Sequence, residues 1–332
     1  MLMDVELSAT LAKLVQAGKV NDSDIANLRE LVWADEQLSP NVVDALFMLL
    51  RKCEISSRVW DDFFIEAVEH YLLHQFAPHG FIDESGAEWL RDHVAIDGHV
   101  KTRCEIELLV NIIENAENAP DRLRSFALAE IEEVIVMGIG ATRMNQPIRP
   151  ACVDEEEVKL LRRLIFAGGG EGAVIVSSGE ADMLFRIKDQ SLHSNNAPGW
   201  LTLFVQGVGN HLMAHSDYRP LSSDEAQRLH LEMNHSTPNI FGFLTRTLPS
   251  ELIGRGTIVD AFKSLFPSQA DPFAKSLSVD TAHALSAEHA GWLKQHIAAD
   301  DQTDDYEKAL LTFIVEETGN APSMLTALRR HG

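Results

Sequence analysis

Residues 60–72 read Trp60-Asp61-Asp62-Phe63-Phe64-Ile65-Glu66-Ala67-Val68-Glu69-His70-Tyr71-Leu72. Trp60, Phe63, Phe64, Ala67, Val68, Tyr71 and Leu72 follow one another at intervals of three and four, with acidic residues between them. That spacing draws one apolar stripe along a helix, whereas a strand of period two would scatter the same residues over both faces. The helical period continues outward in both directions, and alternating β-branched runs are nearly absent. The one short strand candidate is Ala173 to Val176, behind a glycine cluster. The sequence predicts an all-α protein.

Internal similarity organises the helices. Trp89-Leu90-Arg91-Asp92-His93-Val94-Ala95-Ile96-Asp97-Gly98 matches Trp292-Leu293-Lys294-Gln295-His296-Ile297-Ala298-Ala299-Asp300-Asp301. It also matches Asn27-Leu28-Arg29-Glu30-Leu31-Val32-Trp33-Ala34-Asp35-Glu36, and Leu160-Leu161-Arg162-Arg163-Leu164-Ile165 running into Gly168-Gly169-Gly170. Each copy leads into a second helix with a defined start. Thr102 with Glu105, Ser177 with Glu180 and Asp304 with Glu307 have capping-box spacing, and Ser39-Pro40 supplies a cap and a first-turn proline in the first copy. A third marker keeps the register: Asn118-Ala119-Pro120, Asn196-Ala197-Pro198 and Asn320-Ala321-Pro322 each open a further amphipathic helix.

The expected organisation is therefore tandem helical repeats of three-helix units. Repeat 1 covers 1–80, repeat 2 covers 81–150 and repeat 3 covers 151–216. An irregular helical segment or degenerate repeat fills 217–287, and a partial C-terminal repeat follows over 288–332. Pro220, Pro238, Pro249, Pro267 and Pro272 keep helices short in the irregular segment. Glycines and prolines between Gly138 and Val153 mark a loop boundary.

The charge excludes some partners. Against 50 acidic residues stand 28 basic ones, a net charge of −22, which repels phosphate backbones and anionic lipid. The basic clusters, Arg143 to Arg149 and Lys159 to Arg163, are sparse, so nucleic acid is not an expected partner. A protein with a basic surface, or cations, suits this field. No apolar run approaches the ~20 residues that span a bilayer, so no membrane insertion is expected. Met1 to Thr10 carries acids and no basic region ahead of an apolar core, unlike a signal peptide. Cys53, Cys104 and Cys152 have no metal spacing, and an odd scattered count suits a reducing compartment. A cytoplasmic location follows as the expectation.

The stretch from Ala95 to Glu105, with its Ala-x-Asp-Gly-x-Val turn and following glutamate, resembles the helical TerB-like (tellurite-resistance) domains. The longer run from Phe81 to Leu212 also resembles an uncharacterised proteobacterial protein family. The first resemblance implies an intracellular, stress-associated or cation-binding scaffold and no known reaction. The chain departs from that pattern at Glu36 and Asp301, where the glycine would stand, and at Gly168, where the aspartate would stand.

Several residues invite a chemical reading. Asp97, and Asp300 and Asp301 with Asp304, are clustered oxygen ligands of the kind that take Ca²⁺ or Mg²⁺ weakly. An EF-hand frame fails: with Gly98 at its turn, the first and third ligand positions fall on His93 and Ala95, and the twelfth falls on Cys104. The competing reading is of helix stops and starts, with acids favoured at the N-terminal ends. His70 and His74, and His211 and His215, are spaced i, i+4, as in helices that hold zinc between two imidazoles. Neither pair has the HExxH form, and His211 lies in line with Trp200, Phe204 and Val208, where Tyr71 lies in the first repeat. Gly168-Gly169-Gly170-Glu171-Gly172 follows a helix and lacks a Gly-Lys-Ser/Thr step, so it reads as a turn. No nucleophile elbow is present.

The reading that results is a non-catalytic scaffold or interaction protein, with no cofactor beyond weakly bound Ca²⁺ or Mg²⁺. The alternatives are a metal-dependent hydrolase using His211 and His215, and a divalent-cation sensor.

Overall fold

The computed structural model describes residues 2–34, 37–55, 57–75, 77–144, 146–167, 175–213, 287–297 and 303–318. These residues are all-α, with twelve helices. In order they are α1 Leu2–Ala17, α2 Asp22–Val32, α3 Pro40–Lys52, α4 Arg58–Glu69, α5 Glu84–Val94, α6 Arg103–Asn115, α7 Asp121–Met137, α8 Glu155–Ile165, α9 Ser178–Ser191, α10 Gly199–Met213, α11 Ala287–Ile297 and α12 Asp305–Thr318. A two-stranded antiparallel ribbon, β1 Ala95–Ile96 and β2 His99–Val100, interrupts them. The described residues form two compact units. One runs to Glu130 and takes in 140–144; the other holds Ile131–Ile139 and the described residues from Gln146 onward.

In the first unit α4 packs on α2, α3 and α6, and α1 packs on α2 and α3. The stripe that predicts α4 forms the core: Trp60, Phe63, Phe64, Ala67 and Val68 are fully buried. Past Glu69 the chain widens into a π-helical turn, His70–His74. A π turn inserts one residue and moves the buried face on by one position. Leu73 is accordingly buried, and Leu72, which the regular period places in the stripe, is half-buried.

The turn between α5 and α6 differs from the plain inter-helix turn expected. Ala95 pairs with Val100 and Ile96 with His99, so a two-residue hairpin stands there. Asp97 (φ 55°) and Gly98 (φ 84°) both adopt the left-handed region, as a type I′ turn requires. Asp-Gly is itself the sequence signal for this turn; strands of two residues are too short to show a period. Ile175 and Val176 form no strand, and the rest of that candidate, like the glycine cluster 168–172 and the third Asn-Ala-Pro, lies outside the described residues.

The capping boxes hold in all three places. Thr102 and Glu105 bond each other's backbone N–H at the start of α6, as do Ser177 and Glu180 at α9, and Asp304 and Glu307 at α12. Asn21 with Asp24 and Asp154 with Glu157 do the same at α2 and α8. Ser39 takes the cap position of α3 without a side-chain bond, and Pro40 begins the helix. The carboxylates of Glu105, Glu157, Glu180 and Glu307 are buried, so each cap is also a core contact.

The second unit is centred on α10, which packs against α8, α9 and α12. Trp200, Leu203, Phe204 and Val208 of α10 are fully buried. Two glycines allow the close approach. A Cβ at Gly207 would meet Leu184 of α9 at 2.5 Å, and one at Gly209 would meet Phe313 of α12 at 2.5 Å.

Candidate functional site

In the first unit a polar and aromatic cluster joins α3, α4 and α5. His93 is held by both ring nitrogens: Nδ1 lies 2.8 Å from the Trp89 carbonyl and Nε2 lies 3.0 Å from Asp44. Its ring stacks on Trp89, with centres 4.0 Å apart, and sits 5.2 Å from Phe47. Phe47 meets Phe64 edge-on, Phe64 lies beside Trp60, and Tyr71 lies against Trp89. Asp44 and Phe47 share one face of α3 by their i, i+3 spacing, and Trp89 and His93 share one face of α5 by i, i+4.

A corresponding set of contacts, differing in detail, occurs in the second unit. His296 Nε2 lies 2.9 Å from Asp182, and its ring stacks on Phe185 with centres 4.4 Å apart. Phe185 meets Phe204 edge-on, Trp200 lies beside Phe204, and Trp292 adds an indole N–H bond of 2.9 Å to Asp182. His211 takes the position that Tyr71 holds in the first unit, with its ring 4.9 Å from Trp292. Elsewhere, Arg29 pairs with Glu66 in one unit and Arg162 donates to Gln206 in the other.

His211 is half-buried. Its Nδ1 lies 2.9 Å from the Val176 carbonyl, and its ring centre lies 5.1 Å from that of His289 on α11. Burial pushes His211 below the ordinary histidine range; the Val176 carbonyl and Asp182 act in the opposite direction and His289 adds to the lowering.

A third cluster lies at the start of α12. The Lys188 ammonium lies 2.6 Å from Asp189, 2.7 Å from Asp304 and 2.8 Å from Glu307. Burial alone would push this lysine down. Its bonds to three carboxylates outweigh burial and hold it above the usual lysine range, so it stays charged. In the first unit Arg51 approaches Glu105, at 3.6 Å.

The residues singled out in the sequence separate in space. Asp97 lies exposed at the tip of the hairpin. Beside it Val100 donates its N–H to Glu130, 2.7 Å away, and His99 Nδ1 lies 3.5 Å from the same carboxylate. Asp304 caps α12 and accepts from Lys188, so an ammonium already occupies the position between the oxygens that a metal cation would take. Asp300, Asp301 and His215 lie outside the described residues. His70 and His74 fall on the π turn, with ring centres 6.3 Å apart; His70 packs edge-on against Trp33, and His74 lies 3.6 Å from Glu69. Burial and Asp61 raise the Cys104 thiol well above the cysteine range, which makes it a poor nucleophile.

Sequence reading missed Asp182, Lys188 and His289. Asp182 and Asp44 carry a usable signal, since each stands three residues before a phenylalanine on matching helices. Lys188 carries none: one lysine on an amphipathic helix reads as solvated until the carboxylates it meets are known. Comparison with known proteins returns no match, whether with protein-family models, curated proteins or solved structures.

Proposed function

We propose that the protein is a non-catalytic cytoplasmic scaffold, built by duplication of helical units, whose acidic surface receives a protein with a basic surface. The observation that carries this reading is the recurrence, in both units, of one contact set: Asp44, Phe47, Trp60, Phe64, Trp89 and His93 against Asp182, Phe185, Trp200, Phe204, Trp292 and His296. Its aspartates and histidines tie helices together, so its polar groups are already committed to the fold. Repeated units present equivalent turns and faces for binding. The surplus of acid, −22 over the chain, steers a basic partner toward them over about a Debye length, ~8 Å at physiological salt. The resemblance to TerB-like domains supports a stress-associated scaffold. Among the described residues no helix is long and apolar enough to cross a membrane, which accords with binding in solution.

Capture from a cell lysate on the immobilised full chain, at low and at high salt, tests the reading. A partner that is retained at low salt, released at high salt and bound less tightly by Asp97→Asn supports it. Turnover of a substrate that is lost on replacing His211 would overturn it in favour of an enzyme.

A further inference from the structure

Arg162 on α8 and Gln206 on α10 stand in the second unit where Arg29 on α2 and Glu66 on α4 stand in the first. Arg29 and Arg162 align in the matched segments Asn27-Leu28-Arg29 and Leu160-Leu161-Arg162. Glu66 and Gln206 each lie six residues after a buried tryptophan, Trp60 or Trp200. The contact is kept: Arg29 donates to Glu66, and Arg162 Nη1 donates to Gln206 Oε1, 2.7 Å away. The charge balance is not kept. One guanidinium meets a carboxylate, and the other meets a neutral amide.

The amide falls where a counter-charge matters more. The Arg29 and Glu66 side chains are 43% and 48% exposed, so water screens both. Arg162 is half-buried and Gln206 is 1% exposed. Burial pushes the Arg162 guanidinium below the usual arginine range, whereas bonded carboxylates hold Arg186 and Lys188 of α9 above theirs. Among the described residues no carboxylate lies within ion-pair distance of Arg162. Arginine keeps its proton in proteins, so the positive charge stays. Its planar fork of N–H donors fits the two oxygens of a carboxylate, and Gln206 occupies only one of those donors. The Gln206 amide nitrogen adds donors beside it. Lys159, exposed and three residues earlier, adds a second positive charge on the same face of α8.

We propose that Arg162, with Gln206 and Lys159 beside it, binds the carboxylate group of a small organic acid, which supplies the negative charge that Glu66 supplies in the first unit. The net charge of −22 favours a small monoanion over an acidic protein, because many negative charges brought up together would each be repelled. The site therefore selects by contact at short range, and its ligand is opposite in sign to the basic partner of the acidic surface.

The test follows the arginine side-chain nitrogen resonances of the full chain as acetate is added, with chloride holding the ionic strength constant. One arginine should respond and saturate. Arg162→Gln should lose that response. Gln206→Glu places the first unit's carboxylate inside the chain; it should weaken acetate binding about tenfold or more, the scale of one charged hydrogen bond, and raise the melting temperature. Arg29→Gln should bind acetate as the unaltered chain does. Inorganic phosphate carries more charge into an acidic field and should bind more weakly; tighter binding would overturn the assignment to a carboxylate. Should Gln206→Glu fail to fold, Arg162→Gln decides, and the reverse. No saturable response in the unaltered chain, or undiminished binding by either folded variant, would overturn the site and leave Arg162 as a structural tie to α10. None of these results bears on the salt-sensitive capture that tests the scaffold.

Discussion

The Nζ of Lys188 on α9 lies 2.8 Å from Oε1 of Glu307 on α12, and each side chain is 1% exposed. Two charges withdrawn from water depend on each other, because removing one leaves the other buried and uncompensated. Lys188→Met should therefore lower unfolding stability by about 3–5 kcal/mol. The double change Lys188→Met with Glu307→Met should recover much of that loss, since an apolar pair of similar volume often substitutes for a buried ion pair without cost. Chemical denaturation of the three variants is the measurement. A double variant no more stable than the single one would mean that Asp189 and Asp304, not Glu307, are the main partners.

Trp60 and Trp200 are fully buried, and among the described residues neither indole N–H has a hydrogen-bond partner. Replacement by alanine should cost about 3–5 kcal/mol at each position, from lost burial and the cavity left behind. Phenylalanine should cost much less, because it keeps most of the apolar contact and removes an unsatisfied donor. Denaturation midpoints with unchanged slopes would give both values; a loss below ~1 kcal/mol for either alanine variant would place that ring outside the core.

Thr102→Ala and Ser177→Ala each remove a hydroxyl that accepts the N–H of a glutamate three residues on. Each should cost about 1 kcal/mol, the ordinary value for an N-cap. Each hydroxyl also donates to the glutamate carboxylate, 3.0 Å away at Glu105 and 2.9 Å at Glu180, so the losses should lie toward the upper part of that range. Serine at position 102 should restore the lost stability, and failure to do so would locate the effect in the threonine methyl group.

His211 supplies a pH dependence. Its folded-state value lies below the ordinary 6.5, so the unfolded chain binds its proton more tightly. The contribution is fully present above about pH 6.5 and is lost as the pH falls below it. Unfolding free energies at about pH 7.5 and about pH 5.5 should show a smaller drop for His211→Asn than for the unaltered chain. Equal drops would assign the acid sensitivity to other groups.

What the sequence determined is the local structure. The three-and-four spacing of Trp60, Phe63, Phe64, Ala67 and Val68 commits α4 to a helix with one buried face, and all five side chains are buried. The caps at Thr102, Ser177 and Asp304 were legible for the same reason: a cap and its glutamate lie three residues apart, and their bonding needs nothing from the rest of the chain. The matched Trp-Leu-x-x-His segments likewise preceded the matched contacts of His93 and His296. The tertiary structure decided which distant side chains meet. Lys188 and Glu307 lie 119 positions apart, and His296 and Asp182 lie 114 apart. Such meetings follow from how whole helices seat against one another, down to the absence of a Cβ at Gly207 and Gly209, and no short stretch of sequence encodes that. The π turn at His70–His74 belongs with them, because a one-residue shift of the buried face is set by what the helix packs against.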